Sequence, residues 1–385
     1  MYIITSWILS NMKMGYIILV CLLLSLVSCE KEPCIDVEYG NQPIYLSASM
    51  ENGVQAKSPY TDMVPSQTTP LAVDIWASTT SGIFKHIKEN SGSNGLVSYH
   101  SSATFQSADS QLLDTLVIYP KPVAGQPASS VYFISMHPQS TESKKWTTLD
   151  GGSASFTFTG YEDVMFAPQV SGQYQEGVEV NAQNLKFKHL LTRITAKMQV
   201  VAEAGENKQD ILDAWGKITD LQISSYNAQL QSVENKNSLT IRNLSKDFGQ
   251  WGSLTDDVVL KGEIHNTSMD FYRIGTDMKF PESGGYTLTD RPDSVAYVMC
   301  APTLATYENH EYVITVTTEK RGVVDVKLDL QQPASSATGV DKFIGSTMGK
   351  HFSVTLRFKK GRAIATVATV EPWDNGGFGS GNIYD

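Results

Sequence analysis

Apolar and polar residues alternate with a period of two in many segments of this chain. In these segments three or four apolar side chains point to one side, and serine, threonine, lysine or aspartate point to the other. A β-strand with one buried face and one solvated face has this period. The clearest segments begin at Ile44, Ala154, Ile194, Val324 and Phe352. The pattern predicts an antiparallel, all-β protein.

Besides the strands, short sequence segments predict one hairpin turn and one helix. The sequence EKRG at 319–322 separates two alternating runs and predicts a hairpin turn. The segment from Asp210 to Asp220 is the best helix candidate, because Ile211, Leu212 and Trp215 share one side at helical spacing. Elsewhere, strands separated by glycine, serine, asparagine and proline favour β-sandwiches.

The chain of 385 residues is longer than a single hydrophobic core usually supports, so two domains are expected. A polar stretch at 171–177 gives way to an alternating run near 185, and we place the boundary between 186 and 187. The predicted organisation is a leader at 1–28, a linker at 29–42, an N-terminal sandwich at 43–186 and a C-terminal sandwich at 187–385.

An apolar run at 16–28 ends abruptly at Cys29. The run is shorter than the roughly 20 residues that span a bilayer, and Lys13 precedes it, which is the layout of a secretory signal. The sequence LVSC at 26–29 resembles the signal of bacterial lipoproteins, in which the cysteine thiol is acylated and the chain is cut just before it. We therefore predict a lipid anchor at Cys29; an ordinary signal peptide with a chance cysteine is the alternative.

The negative net charge of the chain argues against nucleic acid as a partner. Removal of residues 1–28 takes away one lysine and no acidic residue, so the formal charge of −10 becomes −11. A strongly acidic exported chain is unsuited to nucleic acid. Cys34 and Cys300 are the cysteines left outside the leader and the predicted lipid site, and either a disulfide or two free thiols fits the sequence.

Motifs for catalysis, metal binding or cofactors are missing from the sequence. The seven histidines form no HExxH pair, and neither a GxSxG nucleophile elbow nor a phosphate-binding loop occurs. His189 is expected to be a hydrogen-bonded structural residue rather than a metal ligand. We therefore predict a protein that is not an enzyme and uses no cofactor; a secreted hydrolase would need a cleft with convergent titratable groups.

Three groups of short motifs occur in order after Cys29. They are IYLSA at 44–48 with AKS at 56–58; VYFI at 131–134, GYEDVMFA at 160–167 and LKFKHLLTRI at 185–194; and VEPWDNGG at 370–377. In this order and spacing they resemble the fimbrillin family of Bacteroidota, the type V pilins and their relatives. The resemblance extends over nearly the whole mature chain.

The resemblance implies two tandem transthyretin-like β-sandwich domains and export as an outer-membrane lipoprotein displayed on the cell surface. It also implies assembly into a fimbrium with other fimbrillin subunits, adhesion to a host or bacterial surface ligand, and processing by a trypsin-like or arginine-specific protease. In polymerising members, cleavage after the first strand releases that strand, and a strand of a neighbouring subunit fills the groove. Stalk, anchor and tip subunits share this fold, so the role within a fimbrium stays open.

Mapped onto this chain, the removable strand is Ile44–Met50 and the candidate cleavage lies between Lys57 and Ser58. Lys57 is the only basic residue between Lys31 and Lys85. Many family members carry arginine at this place, so strictly arginine-specific processing does not follow from the resemblance. The alternative is an uncut loop in which Lys57 is a solvated charge.

The C-terminal run contains the candidate donor strand. Ile364, Thr366, Ala368 and Val370 alternate with small or β-branched residues, which suits a strand that inserts into a neighbour's groove. The alternative is that this run forms the last strand of the C-terminal sandwich.

A glycan-binding surface lipoprotein that forms no pilus is the alternative function. Its support is a set of tryptophans that would stack on sugar rings if they were exposed, namely Trp76, Trp146, Trp215 and Trp251. A position in the core is the ordinary alternative for such rings.

Overall fold

The computed structural model describes residues 42–50, 70–85, 89–90, 96–107, 109–113, 117–142, 145–149, 152–178, 180–225, 237–245, 258–261, 268–300, 311–329, 349 and 351–371. Within these ranges the chain is almost entirely β-structure, with one α-helix. The predicted all-β sandwich class, with strands that pair mostly antiparallel, is confirmed.

The described part of the chain contains 21 strands and one helix. The first ten are β1 (Ile44–Met50), β2 (Leu71–Ser78), β3 (Glu89–Asn90), β4 (Leu96–Phe105), β5 (Gln111–Leu112), β6 (Ser130–His137), β7 (Thr147–Leu149), β8 (Ser153–Phe158), β9 (Met165–Gln173) and β10 (Asn181–His189). Helix α1 (Lys208–Trp215) lies between β11 (Thr192–Val200) and β12 (Ile218–Ser225). The others are β13 (Asn237–Ile241), β14 (Val258–Lys261), β15 (Met269–Asp270), β16 (Tyr272–Arg273), β17 (Asp293–Cys300), β18 (Glu311–Thr318), β19 (Gly322–Asp329), β20 (His351–Phe358) and β21 (Ala363–Glu371).

The strands form four sheets. The largest has eight strands in the order β3-β4-β2-β6-β9-β10-β1-β5, and within it β1 runs parallel to β10. A five-stranded sheet has the order β16-β17-β11-β20-β21, in which β11 runs parallel to β20. Two four-stranded sheets have the orders β15-β12-β18-β19 and β14-β13-β8-β7. In both larger sheets a parallel pair therefore lies among antiparallel neighbours.

The predicted domain boundary at 186/187 falls inside β10. One four-stranded sheet also joins β7 and β8, which precede this position, to β13 and β14, which follow it. The N-terminal and C-terminal sandwiches of the sequence-based organisation stay a prediction.

The eight-stranded sheet buries both of its faces over its central strands. On β2, Val73 and Ile75 face one cluster, whereas Trp76 faces another. The first core comprises Ile44, Leu46, Ala48, Leu71, Val73, Ile75, Ala77, Tyr99, Phe105, Val117, Tyr119, Val131, Phe133, Met165, Ala167, Leu185 and Phe187. The second core is larger and continues through β8, β11, β20 and α1.

The strands β11 and β20 differ from the expectation that each strand has one solvated face. The apolar side chains of both strands are buried as predicted. Ser353 and Thr355 on β20, and Thr195 on β11, are buried as well, and the Thr195 hydroxyl lies 2.9 Å from His351 Nε2. The predicted solvated face is wrong here, because both strands lie inside the five-stranded sheet and are covered on both sides.

The helix is confirmed but is shorter than predicted. Asn207 caps its N-terminus, since its side-chain oxygen accepts a hydrogen bond from the Gln209 amide (3.0 Å). Gly216 follows the last helical residue with φ 68°, a conformation that favours glycine, and ends the helix. Asp220, predicted to lie in the helix, therefore lies in β12. The turn predicted at 319–322 is confirmed, because it connects β18 to β19.

Candidate functional site

The strand β1 lies near one edge of the eight-stranded sheet and is held by residues distant in the chain. It pairs with β10 in parallel from Ile44 opposite Asn181 to Met50 opposite Phe187. On its other side it pairs with β5 only at two positions. We call the space that β1 fills between β10 and β5 the β1 slot. Its walls are formed by chain segments more than 60 residues away from β1.

Alternate side chains of β1 enter the first core. Ile44, Leu46 and Ala48 are 0%, 1% and 1% exposed, while Tyr45 and Ser47 between them are half-buried. The predicted apolar face of Ile44–Met50 is therefore confirmed. Without these side chains, the first core would be open to water along the slot.

Gln42 fastens the N-terminal end of β1. Its side-chain amide donates to the carbonyls of Gln175 (3.3 Å) and Val178, and its side-chain oxygen accepts from the Gln175 amide (2.9 Å). The Gln42 carbonyl accepts a further bond from the Tyr119 amide (2.9 Å). A buried amide with all of these partners fixes the register at which the chain enters the slot.

Tyr119 and Gly172 lie close together near this end of the slot. The Tyr119 hydroxyl donates to the Asn181 carbonyl (3.3 Å), and burial raises the pKa of Tyr119 to about 12. A Cβ atom at Gly172 would lie 2.5 Å from the Tyr119 hydroxyl and 2.7 Å from Gln183 Nε2. Only glycine at this position leaves room for that packing.

The outward face of the β1 slot is polar. Ser47 and Ser49 both donate to the side-chain oxygen of Asn184 on β10, at 3.4 and 3.1 Å. These exposed bonds contribute little stability, so retention of β1 depends mainly on its buried face and its backbone pairing.

The predicted lipidation and cleavage residues, Cys29, Lys57 and Ser58, lie outside the described residues. The candidate donor residues lie on β21, at the edge of the five-stranded sheet. There Ile364, Thr366, Ala368 and Val370 are opposite Arg357, Thr355, Ser353 and Phe352 of β20. Within one molecule, β21 is thus paired as the final strand of a sheet and is not next to β1.

Three of the four tryptophans considered for sugar stacking are buried. Trp76, Trp146 and Trp215 are at most 1% exposed. The indole nitrogens of Trp146 and Trp215 donate to the carbonyls of Pro138 (2.9 Å) and Lys359 (2.8 Å). For these three rings the position in the core is confirmed, because they fill the second core, and they do not form a surface for sugar stacking. Trp251 lies outside the described residues.

Two motif segments that are separate in sequence meet at a buried polar network. His189 Nδ1 lies 2.8 Å from Asp163 Oδ1, so the prediction that His189 is hydrogen-bonded is confirmed. Arg193 lies over the Tyr297 ring at 5.0 Å. Burial lowers the pKa of the Arg193 guanidinium and raises the pKa of Tyr297 to about 12. The sequence analysis did not identify the roles of Asp163 and Arg193. The signal that could have identified them is that each is a charged residue within an apolar run, which indicates a buried, paired charge.

The loop at 159–163 connects this network to the five-stranded sheet. The Gly160 carbonyl accepts a bond from the Met299 amide, and the Tyr297 hydroxyl donates to the Tyr161 carbonyl (3.3 Å). Gly160 has φ 117°, and a Cβ atom there would lie 2.9 Å from Met269 Cε. The positive φ disfavours any larger residue at this position, and a Cβ would also require the end of the Met269 side chain to shift. The network and this loop connect the eight-stranded sheet to the five-stranded sheet.

Few reactive or metal-binding side chains occur in the described ranges. Cys300 is a buried free thiol whose pKa is raised by burial to about 12, and Cys34 lies outside those ranges. Among the residues described, no cluster of three or more histidine, cysteine, aspartate or glutamate side chains is arranged to hold a metal ion. The helix in the described part of the chain is not long and apolar enough to cross a membrane.

The chain is similar in structure to several solved proteins from Bacteroides. A candidate cell adhesion protein from Bacteroides uniformis is 16% identical, with a TM-score of 0.40, and the match covers 86% of this chain and 98% of that one. A fimbrial protein from Bacteroides vulgatus is 14% identical, with a TM-score of 0.41 and coverage of 86% and 100%. A candidate polysaccharide-binding protein from Bacteroides thetaiotaomicron is 8% identical, with a TM-score of 0.40 and coverage of 87% and 100%. No protein-family model and no curated protein matches the chain.

Proposed function

We propose that this protein is a fimbrillin-like surface lipoprotein, a structural and adhesive subunit that assembles by exchange of β1. The observation that carries the proposal is the β1 slot. One short strand closes an apolar groove, and it pairs with no strand that adjoins it in sequence. Such a strand can leave with the loss of the two-residue β5 pairing as the one further change in strand pairing, and it can be replaced by a strand of another chain.

The energetics favour refilling an emptied slot. Loss of β1 would expose the inward side of the first core and the backbone edge of β10, and such an edge pairs readily with a new strand. Burial of a side chain the size of isoleucine or leucine contributes about 1.5–3 kcal/mol. With Ile44 and Leu46 as the large residues and Ala48 as a small one, refilling gains about 4–7 kcal/mol before ordering costs.

The C-terminal strand of a second copy suits the emptied slot. The alternate residues of β21 and β1 share isoleucine at the first place and alanine at the third, and β21 has the smaller Thr366 and Val370 where β1 has Leu46 and Met50. Alignment of Ile364 with Ile44 places Ala368 at the position of Ala48. Since β21 is an edge strand, its release from β20 disturbs a single pairing.

Processing and anchoring complete the proposal. The chain is acylated at Cys29, is held in the outer membrane and is displayed on the cell surface. Cleavage between Lys57 and Ser58 frees β1 together with the lipid, and the truncated chain then joins other subunits. The protein acts by binding and assembly rather than by catalysis.

The test compares two forms of the chain by light scattering and electron microscopy. Residues 58–385 are expected to form oligomers or fibres, whereas residues 30–385 are expected to stay monomeric. A synthetic peptide of residues 42–50 should block assembly of the shorter form, and the same peptide with Leu46→Asp should not. A shorter form that is folded by circular dichroism and stays monomeric would overturn the proposal.

A further inference from the structure

Exposed apolar side chains concentrate at one end of the eight-stranded sheet. The described residues include six large, well-exposed apolar side chains, and three of them, Val123, Val178 and Val180, lie in two loops at this end. Their exposed fractions are 66%, 40% and 50%. We call the loop at 121–127, and the described residues 174–178 and 180 of the second loop, the end loops. Exposed apolar residues that share one place on a fold mark a contact surface more often than scattered ones do.

Backbone turns hold these valines outward. In the first end loop the Gln126 amide donates to the Val123 carbonyl (2.8 Å), and Gly125 has φ 80°. In the second, the Val178 amide donates to the Gln175 carbonyl (3.3 Å), and Gly177 has φ 78°. A glycine with positive φ in a closed turn restricts the loop, so its apolar residues stay exposed to the solvent.

Both end loops adjoin the point where the chain enters β1. Gln42 bonds to Gln175 and Val178 in one loop, and its carbonyl accepts from Tyr119, two residues before the other loop begins. Cys29 lies thirteen residues before Gln42 in the sequence. A fully extended segment of that length spans at most about 45 Å, so an acylated Cys29 limits the distance between Gln42 and the lipid surface to about 45 Å.

We propose that the end loops rest on the bilayer while the chain is anchored, with Val123, Val178 and Val180 in the headgroup region. The proposal rests on the acylation of Cys29 that is part of the proposed function. The two loops carry Lys121, Glu176 and Glu179, so attraction to anionic lipids does not drive the contact. Docking is therefore apolar and works on neutral lipid. It holds the eight-stranded sheet against the membrane until β1 is released.

The experiment uses an artificial tether. The mature chain with a histidine tag in place of Cys29, and with Cys34→Ser, is bound to phosphatidylcholine vesicles that contain a nickel-chelating lipid. A polarity-sensitive dye is attached at Ala124→Cys. We expect a blue shift and a several-fold rise in emission on tethering, unchanged by salt. The same dye at Val323→Cys is the matched control, since Val323 is also 66% exposed and lies in a hairpin elsewhere, and it should not respond.

A second variant tests which side chains make the contact. Val123→Ser, Val178→Ser and Val180→Ser together should abolish the response at position 124 while circular dichroism stays unchanged. Tethered protein without a response at position 124 would overturn the proposal. So would a response that appears in solution on raising the protein concentration without vesicles, because it would assign the end loops to a second copy. The result does not depend on native acylation, which radiolabelled palmitate on Cys29 tests separately.

Discussion

Truncation of Leu46 to alanine tests how firmly the core holds β1. Leu46 is 1% exposed and lies in the first core between Ile44 and Ala48. The change removes three buried carbon atoms, worth about 2.4 kcal/mol of transfer free energy, and leaves a cavity, so we expect a total loss of about 3 kcal/mol. Since 1.4 kcal/mol corresponds to a factor of ten, the opening equilibrium of β1 should rise by about 150-fold.

Two assays on the mature chain report this loss. Urea unfolding gives the free energy of unfolding, and hydrogen exchange of the β1 amides gives the opening free energy of the strand itself. Ser47→Ala is the matched control on the same strand, because Ser47 faces outward and its bond to Asn184 is long, at 3.4 Å; it should cost less than about 0.5 kcal/mol. Equal effects of the two substitutions on β1 exchange would refute the reasoning that burial retains the strand.

Three further predictions concern the surroundings of the slot. Gln42→Ala should weaken retention of β1 by about 1–3 kcal/mol, measured as faster exchange of its amides, whereas Gln175→Ala keeps the backbone groups that Gln42 contacts and should not. Gly160→Ala should cost about 3 kcal/mol in urea unfolding, because its φ is 117° and a Cβ would clash, whereas Gly177→Ala, with φ 78° and nothing within 4 Å, should cost about 1 kcal/mol. Burial raises the pKa of Tyr119 and Tyr297 from 10.0 to about 12, so between these values the folded state keeps protons that the unfolded state loses. The free energy of unfolding, measured with urea, should therefore fall from pH 10 to 12. It should fall less steeply in a variant with both Tyr119→Phe and Tyr297→Phe.

The strand β1 shows what an alternating pattern predicts well. Ile44, Leu46 and Ala48 occupy one face of β1, which meets a core, while the other face meets solvent. Apolar and polar residues therefore alternate along the strand, and this alternation can be recognised in the sequence. The partners of β1 could not be predicted in this way. Its parallel neighbour β10 begins 137 residues after β1 does, and no local signal specifies such a pairing.

The sequence also does not show when the polar face of a strand is buried. Ser353 and Thr355 belong to the polar half of an alternating run, yet they are buried because β20 is an interior strand. Trp76 and Trp146 are fully compatible with an exposed stacking surface by sequence alone, and it is the second core that decides their position. The helix end has a local signal, because Gly216 directly follows Trp215, but the prediction based on apolar spacing extended the helix to Asp220.

The most direct test of strand exchange is a disulfide trap at the slot. In a chain that keeps β1, Ser47 lies opposite Asn184, so Ser47→Cys with Asn184→Cys should form an intramolecular disulfide in a Cys34→Ser background. In the form starting at Ser58, alignment of Ile364 with Ile44 brings Val367 to the position of Ser47. We predict that Val367→Cys with Asn184→Cys cross-links neighbouring subunits in that form and leaves the β1-containing chain uncross-linked. Assemblies that form without this cross-link, or equal cross-linking in both forms, would contradict exchange of β1.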